Sequence, residues 1–177
     1  MAAQDVGAAW HRVEAVLRRR PETGLHDDAP ATARWESGTR VVTRHANGTQ
    51  VPTDMPSELG GSGDQVTPGW LMRAGFAACT ATCIAMAAAA QGIGLTALEV
   101  LASSRSDTRG LFGMAGTDGE PVPAGPHDVQ MLVRISAHGV SAARLQALVE
   151  ESYRCSPVAR ALQDTVPVSL RIEVDAA

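Results

Sequence analysis

The chain has 177 residues, 45% of them hydrophobic and 19% charged, with a formal net charge of -4; this balance supports one buried core or two small packed lobes, and excludes the apolar-poor composition of disordered chains. The 15 basic residues are all arginine, adjacent only at Arg18, Arg19 and Arg20, and aromatics make up 3% of the chain. Nucleic acid is thereby excluded as a main partner, since there is neither a basic face nor a stacking platform.

Val6, Trp10, Val13 and Leu17 recur at helical spacing, so an amphipathic helix is expected from about Val6 to Arg20, ending before Pro21. Arg18 to Arg20 then sit at its C-terminal end, where cations suit the negative end of the dipole. Pro21 to Pro30, rich in Pro, Gly and Asp, reads as a linker. Ala33 to Arg44 offers two short β-prone pieces around Ser37-Gly38, and Asn47-Gly48 supplies a turn, which predicts a β-meander. After a glycine-rich stretch from Met55 to Thr67, Thr67-Pro68 opens the longest helix, with threonine as cap and proline at the first helical position. It is expected to run to about Gln91 and stop at Gly92, and its apolar, alanine-rich surface requires neighbours on all sides.

Three later runs alternate with the period of half-buried strands: Leu98, Val100 and Ala102; Val129, Met131, Val133 and Ile135; and Val166, Val168, Leu170, Ile172 and Val174. Between the last two lies a helix from Ser141 to about Arg154, burying Leu145, Leu148, Val149 and Ser152, followed by a short helix at Ser156-Pro157 with Ser156 as its N-cap. Strands in runs, rather than a regular βαβα alternation, predict an α+β fold with largely antiparallel sheets around a long central helix.

No basic region followed by an apolar run opens the chain, so the expected compartment is the cytoplasm. Leu71 to Ala90 has roughly the length of a membrane span, but it is mostly alanine, glycine and threonine and carries Arg73, which favours a buried soluble helix and no membrane partner. Three cysteines in a reducing compartment point to reactive or buried thiols rather than a disulfide framework. Cys79 and Cys83 share a helical face, but no further ligands at metal spacing accompany them, and no metal or cofactor is expected. None of the five histidines adjoins a cysteine; His127 and His138 bracket a strand and are expected on the surface. Gly60, Gly61 and Gly63 lack the Lys-Ser/Thr of a phosphate loop and read as backbone flexibility.

Pro56-Ser57-Glu58-Leu59-Gly60-Gly61, then Thr67-Pro68-Gly69-Trp70-Leu71 and Ala77-Ala78-Cys79, in this order and spacing, resemble the osmotically inducible protein C (OsmC) and organic hydroperoxide resistance superfamily. Cys155-Ser156-Pro157-Val158 resembles its second cysteine motif. The likeness runs from about Ala33 to Val174, which divides the chain into an N-terminal helix and linker, 1–30, and an OsmC-like domain, 31–177. The resemblance implies an intertwined homodimer with active sites at the subunit interface and a peroxidatic cysteine on the central helix, here Cys79. It further implies a resolving cysteine near Pro157, here Cys155, and reduction of organic hydroperoxides at the expense of a thiol reductant.

A thiol attacks peroxide only as thiolate, so its pKa must be lowered from about 8.5 by nearby positive charge or a helix N-terminus. Cys79 lies about three turns into its helix, beyond the reach of that helix's own dipole end. Arg73 is roughly 240° away around the axis. A cation from another segment is therefore needed, and Ser37-Gly38-Thr39-Arg40, which resembles the family's glycine-arginine turn, makes Arg40 the candidate, with Arg44 its rival.

Two departures stand out. Where the family's peroxidases carry a glutamate beside the helix-opening proline to hold the arginine, this chain has Gly69 and Trp70, so any lock on the guanidinium falls to another acid such as Glu58. Ser156, not Cys155, directly precedes Pro157, and Cys155 would sit just outside a helix start. Cys83 is either a second resolving thiol or a small core residue. Trp70, Phe76 and Glu58 are the candidate walls of a substrate pocket, although for Trp70 ordinary core packing is the leading reading. The departures support an alternative function, a dimer with impaired peroxidase chemistry that binds a small apolar ligand at its interface.

Overall fold

A computed structural model of the chain describes residues 3–164, 168 and 170–172. Helix α1, Ala3–Arg19, leads through a short 3-10 turn, Pro21–Gly24, into strands β1, Thr32–Ser37, β2, Arg40–Arg44, and β3, Gln50–Thr53. A glycine-rich loop then reaches helix α2, Pro68–Ala90. Strand β4, Leu95–Arg105, helix α3, Thr108–Leu111, strand β5, His127–Ala137, helix α4, Ala142–Arg154, and helix α5, Pro157–Gln163, complete the order.

The meander forms as its turn residues dictate: β1, β2 and β3 make one antiparallel sheet in sequence order, and β4 and β5 make a second antiparallel pair. The inward faces of β4 and β5 carry Leu98, Val100, Val133 and Ile135, as period-two alternation requires. Helix α3 and the turn that joins Ala115 to Pro121 have no counterpart in the sequence reading, because four helical residues are too few to leave a periodicity. Of the third strand-like run, Val166 and Val174 lie outside the described residues; Val168, Leu170 and Ile172 are exposed and belong to no strand here.

Helix α2 begins where Thr67 accepts the backbone N–H of Trp70 and ends with Gln91 as its C-terminal cap, ahead of Gly92. By length and composition alone it could cross a membrane. In this fold α1, β4, α4 and α5 pack around it. Ile84 and Ala88 of α2 and Leu148 of α4 form the core. Burial of the Ile84 and Leu148 side chains stabilises by about 1.5–3 kcal/mol each. Helix α1 crosses the far end of α2 closely enough that a Cβ on Gly7 would fall 2.5 Å from the Ala89 carbonyl oxygen. His11 Nε2 lies 3.0 Å from the Ala90 carbonyl oxygen at the same crossing. The other side of α1, with Val13, Val16 and Leu17, stays exposed.

Candidate functional site

Two polar centres arise from this scaffold. The first is built on the β2–β3 hairpin. The register sets Val41 opposite Thr53, which brings Arg40 and Asp54 to the same end of the pair. Asp54 is only 3% exposed, so its carboxylate has to be satisfied internally. It accepts from Thr39 Oγ1 at 2.5 Å, Met55 N at 2.8 Å, and Ser62 Oγ and N at 2.6 and 3.1 Å. Arg40 Nη2 adds a contact at 3.3 Å, and also donates to Ser62 Oγ at 2.9 Å and to Asp64. The Ser62 hydroxyl, then the Thr39 hydroxyl and the Ser62 amide, hold the Asp54 carboxyl well below the usual carboxylate range.

The loop from Met55 to Asp64 is thus folded back over a buried carboxylate. Gly60 takes a left-handed φ of 81° there, and a Cβ on Gly61 would fall 1.8 Å from the Met55 carbonyl oxygen. Gly60 is required for its left-handed φ and Gly61 for close backbone approach, rather than either for flexibility.

The acids that lock Arg40 are therefore Asp54 and Asp64. Glu58, the acid expected from the sequence, instead accepts from its neighbour Ser57. It borders a shallow cavity with Thr39, Met55, Leu59, Leu111 and Phe112. The reason is reach: the hairpin register fixes Asp54 beside Arg40, whereas Glu58 sits on the following 3-10 turn, Ser57–Leu59. Sequence reasoning missed Asp54. The one available signal was an acidic residue at a strand end just before a glycine-containing turn.

The second centre gathers the thiols. Cys79 and Cys83, one turn apart on α2, are half-buried, and Cys155 is the exposed C-cap of α4. Ser156 stands in the N-cap position of α5 as expected, but its hydroxyl makes no capping bond. Forgoing such a bond typically costs a helix about 1 kcal/mol. The hydroxyl is turned inward instead, fully buried, and donates to Cys79 Sγ at 3.3 Å. Thr80 Oγ1, also fully buried, lies 3.4 Å from Ser156 Oγ. Burial pushes the Cys83 thiol up, and the neighbouring Cys79 and then the more weakly acting Cys155 add to the rise against a hydrogen bond from Ser156. Cys83 thus senses both of the other sulfurs.

Arg40 and Cys79 are not joined by a hydrogen bond among the described residues, where the sulfur's partner is the Ser156 hydroxyl. Arg44 is an exposed residue at the end of β2. Arg73 donates to Ser104 Oγ on β4 at 3.3 Å, on another side of α2.

Toward the N-terminal end of α2 from the thiols lies a mostly apolar cavity of about 380 Å³, lined by Met72 and Phe76 of α2, Val129 and Met131 of β5, Tyr153 of α4 and Leu162 of α5, with no cysteine in its wall. Phe76 is 3% exposed, and its ring packs against Tyr153 with centroids 6.3 Å apart. At about 100° per residue, positions 72, 76, 79 and 83 fall within roughly 60° around α2, so cavity and thiols occupy one stripe of the helix. Trp70, 48% exposed, and Glu58 are not part of this lining. Of the three residues expected at a pocket, the structure brings only Phe76 to the thiols.

Comparison with known proteins agrees with this architecture. A family model described as OsmC-like protein matches residues 61–171. No curated protein matches the sequence significantly. Among solved structures, an OsmC-like protein from Mycoplasma pneumoniae is 17% identical over 80% of this chain and 91% of its own, with a TM-score of 0.64. An organic hydroperoxide resistance protein OsmC from Legionella pneumophila is 21% identical over 78% of this chain and 92% of its own, with a TM-score of 0.56. The organic hydroperoxide resistance protein OhrB of Bacillus subtilis is also 21% identical, over 83% and 98%, with a TM-score of 0.50. At these identities the structural likeness establishes the fold, α+β with small antiparallel sheets and a long helix. The family model spans well over half of the sequence, and the chain belongs to the OsmC-like protein family.

Proposed function

We propose that the chain is a thiol peroxidase that reduces organic hydroperoxides through Cys79. The observation that carries this reading is the placement of a half-buried, hydrogen-bonded sulfur on the same helical stripe as an apolar cavity, with two further thiols beside it. The Cys79 thiolate attacks the outer peroxide oxygen, the O–O bond breaks, and the alkoxide leaves as alcohol after taking up a proton. The sulfur is left as sulfenic acid. The Cys155 thiol then attacks that sulfur, expelling water and forming a disulfide, which an external thiol reductant returns to two thiols. Cys155 suits this role because it is exposed and adjoins the residue whose hydroxyl touches Cys79. Arg40, expected beside Cys79, is instead taken up by Asp54, Ser62 and Asp64 and orders the loop from Met55 to Asp64, so the donor to the Cys79 sulfur is the Ser156 hydroxyl rather than a guanidinium. We further propose that the working unit is a homodimer in a reducing compartment, consistent with the exposed apolar side of α1.

A second reading is favoured by the commitment of Arg40 to Asp54 and Asp64: a dimer that binds a small apolar molecule without turning over peroxide. Steady-state kinetics separate the two. The peroxidase reading predicts that an aryl or long-chain alkyl hydroperoxide is consumed at least about tenfold faster than hydrogen peroxide, because the tail gains the apolar cavity. Leu162→Ala, which enlarges that cavity from its exposed rim, is expected to remove most of the preference while leaving hydrogen peroxide nearly unaffected. No consumption of either peroxide, with saturable binding of an apolar fluorophore, would favour the binder.

A further inference from the structure

Ser156 has the sequence position of a helix cap and the geometry of something else. Its hydroxyl leaves the α5 amides uncapped, is fully buried, and points at Cys79 Sγ, 3.3 Å away. Behind it stands a second fully buried hydroxyl, Thr80 Oγ1, at 3.4 Å. A serine hydroxyl has one proton to give, and when that proton is directed to sulfur its oxygen lone pairs are free to accept from Thr80. The two hydroxyls then form a short chain whose bonds strengthen one another in a poorly hydrated interior.

Cys79 and Cys83 compete for negative charge, since two adjacent anions on one helical stripe repel each other. The Ser156 hydroxyl is in hydrogen-bond contact with Cys79 Sγ; it also favours ionisation of Cys83, but there burial, the largest effect, works the other way. We propose that the Thr80–Ser156 hydroxyl pair is a positioning device that selects Cys79, rather than Cys83, as the thiol that carries the charge and reacts. The proposal rests on the reading of Cys79 as the reacting sulfur, but its test needs no peroxide. Both thiols are half-buried, so access alone does not decide between them.

The test is alkylation of the reduced protein by limiting iodoacetamide near neutral pH, with peptide fragmentation separating Cys79 from Cys83. Of these two, Cys79 is expected to be modified predominantly in the native protein, with the exposed Cys155 counted separately. Ser156→Ala should lower the Cys79-to-Cys83 ratio by about tenfold, the scale of one hydrogen bond to a charged group. Thr80→Val, nearly isosteric, should lower the ratio in the same direction by less, and Ser156→Thr, which restores a hydroxyl, should recover it. An unchanged ratio in folded Ser156→Ala would overturn the proposal and leave Ser156 as packing. If that variant does not fold, an unchanged ratio in Thr80→Val overturns it equally. A native protein that shows the selectivity but consumes no hydroperoxide would sink the peroxidase reading and leave this inference standing.

Discussion

Cys79→Ser lowers hydroperoxide consumption by more than about a hundredfold, with the fold retained. A serine hydroxyl is essentially un-ionised at neutral pH and has no sulfur to oxidise, so both the nucleophile and the electron donor are lost. Position 79 is half-buried, and serine differs from cysteine by one atom, so the packing cost is small. Cys155→Ser behaves differently: the first oxidation of Cys79 proceeds, but without its resolving partner the sulfenic acid persists and turnover stalls. Peroxide consumption, followed alongside circular dichroism, checks both outcomes. Full activity in Cys79→Ser would move the chemistry to another thiol.

The largest effect on stability is expected at Asp54, away from the thiols. Asp54→Ala leaves Thr39, Ser62 and Arg40 without their shared acceptor and frees the loop that Gly60 and Gly61 fold back. A fall in the thermal midpoint on the order of 5–10 °C follows for a chain of this size. The same carboxylate sets the acid response. Its pKa in the folded state is depressed below the ordinary 3.8, so its stabilisation is complete above that value and is lost as pH falls through it toward the lower folded value. Asp64, depressed chiefly by the Ser62 hydroxyl, acts in the same direction. Thermal melts should therefore be flat in pH near neutrality and weaken below about pH 4, and Asp54→Asn should flatten part of that acid limb.

Much of the fold was legible because its signals are local. Thr67 and Pro68 mark the start of α2 through capping and a fixed φ, and the alternation in β4 and β5 follows from the strand period. Cys79 and Phe76 could be assigned to one helical stripe for the same reason. The lock on Arg40 was not legible, since it joins residues up to 24 positions apart and depends on hairpin register rather than on any periodicity. Nor was the direction of the Ser156 hydroxyl. A serine before Pro157 has the same local signature whether it caps α5 or turns to a sulfur 77 residues away, and only the packing of α5 on α2 decides between them. The short helix α3 left too little pattern to read.

The claim on which the account turns is that Cys79 is the sulfur that peroxide oxidises. Treating the reduced protein with one equivalent of an alkyl hydroperoxide and mapping the cysteines by mass spectrometry tests it most directly. The account predicts loss of two hydrogens and a crosslink between Cys79 and Cys155; unmodified thiols, or oxidation spread evenly over Cys79, Cys83 and Cys155, would contradict it.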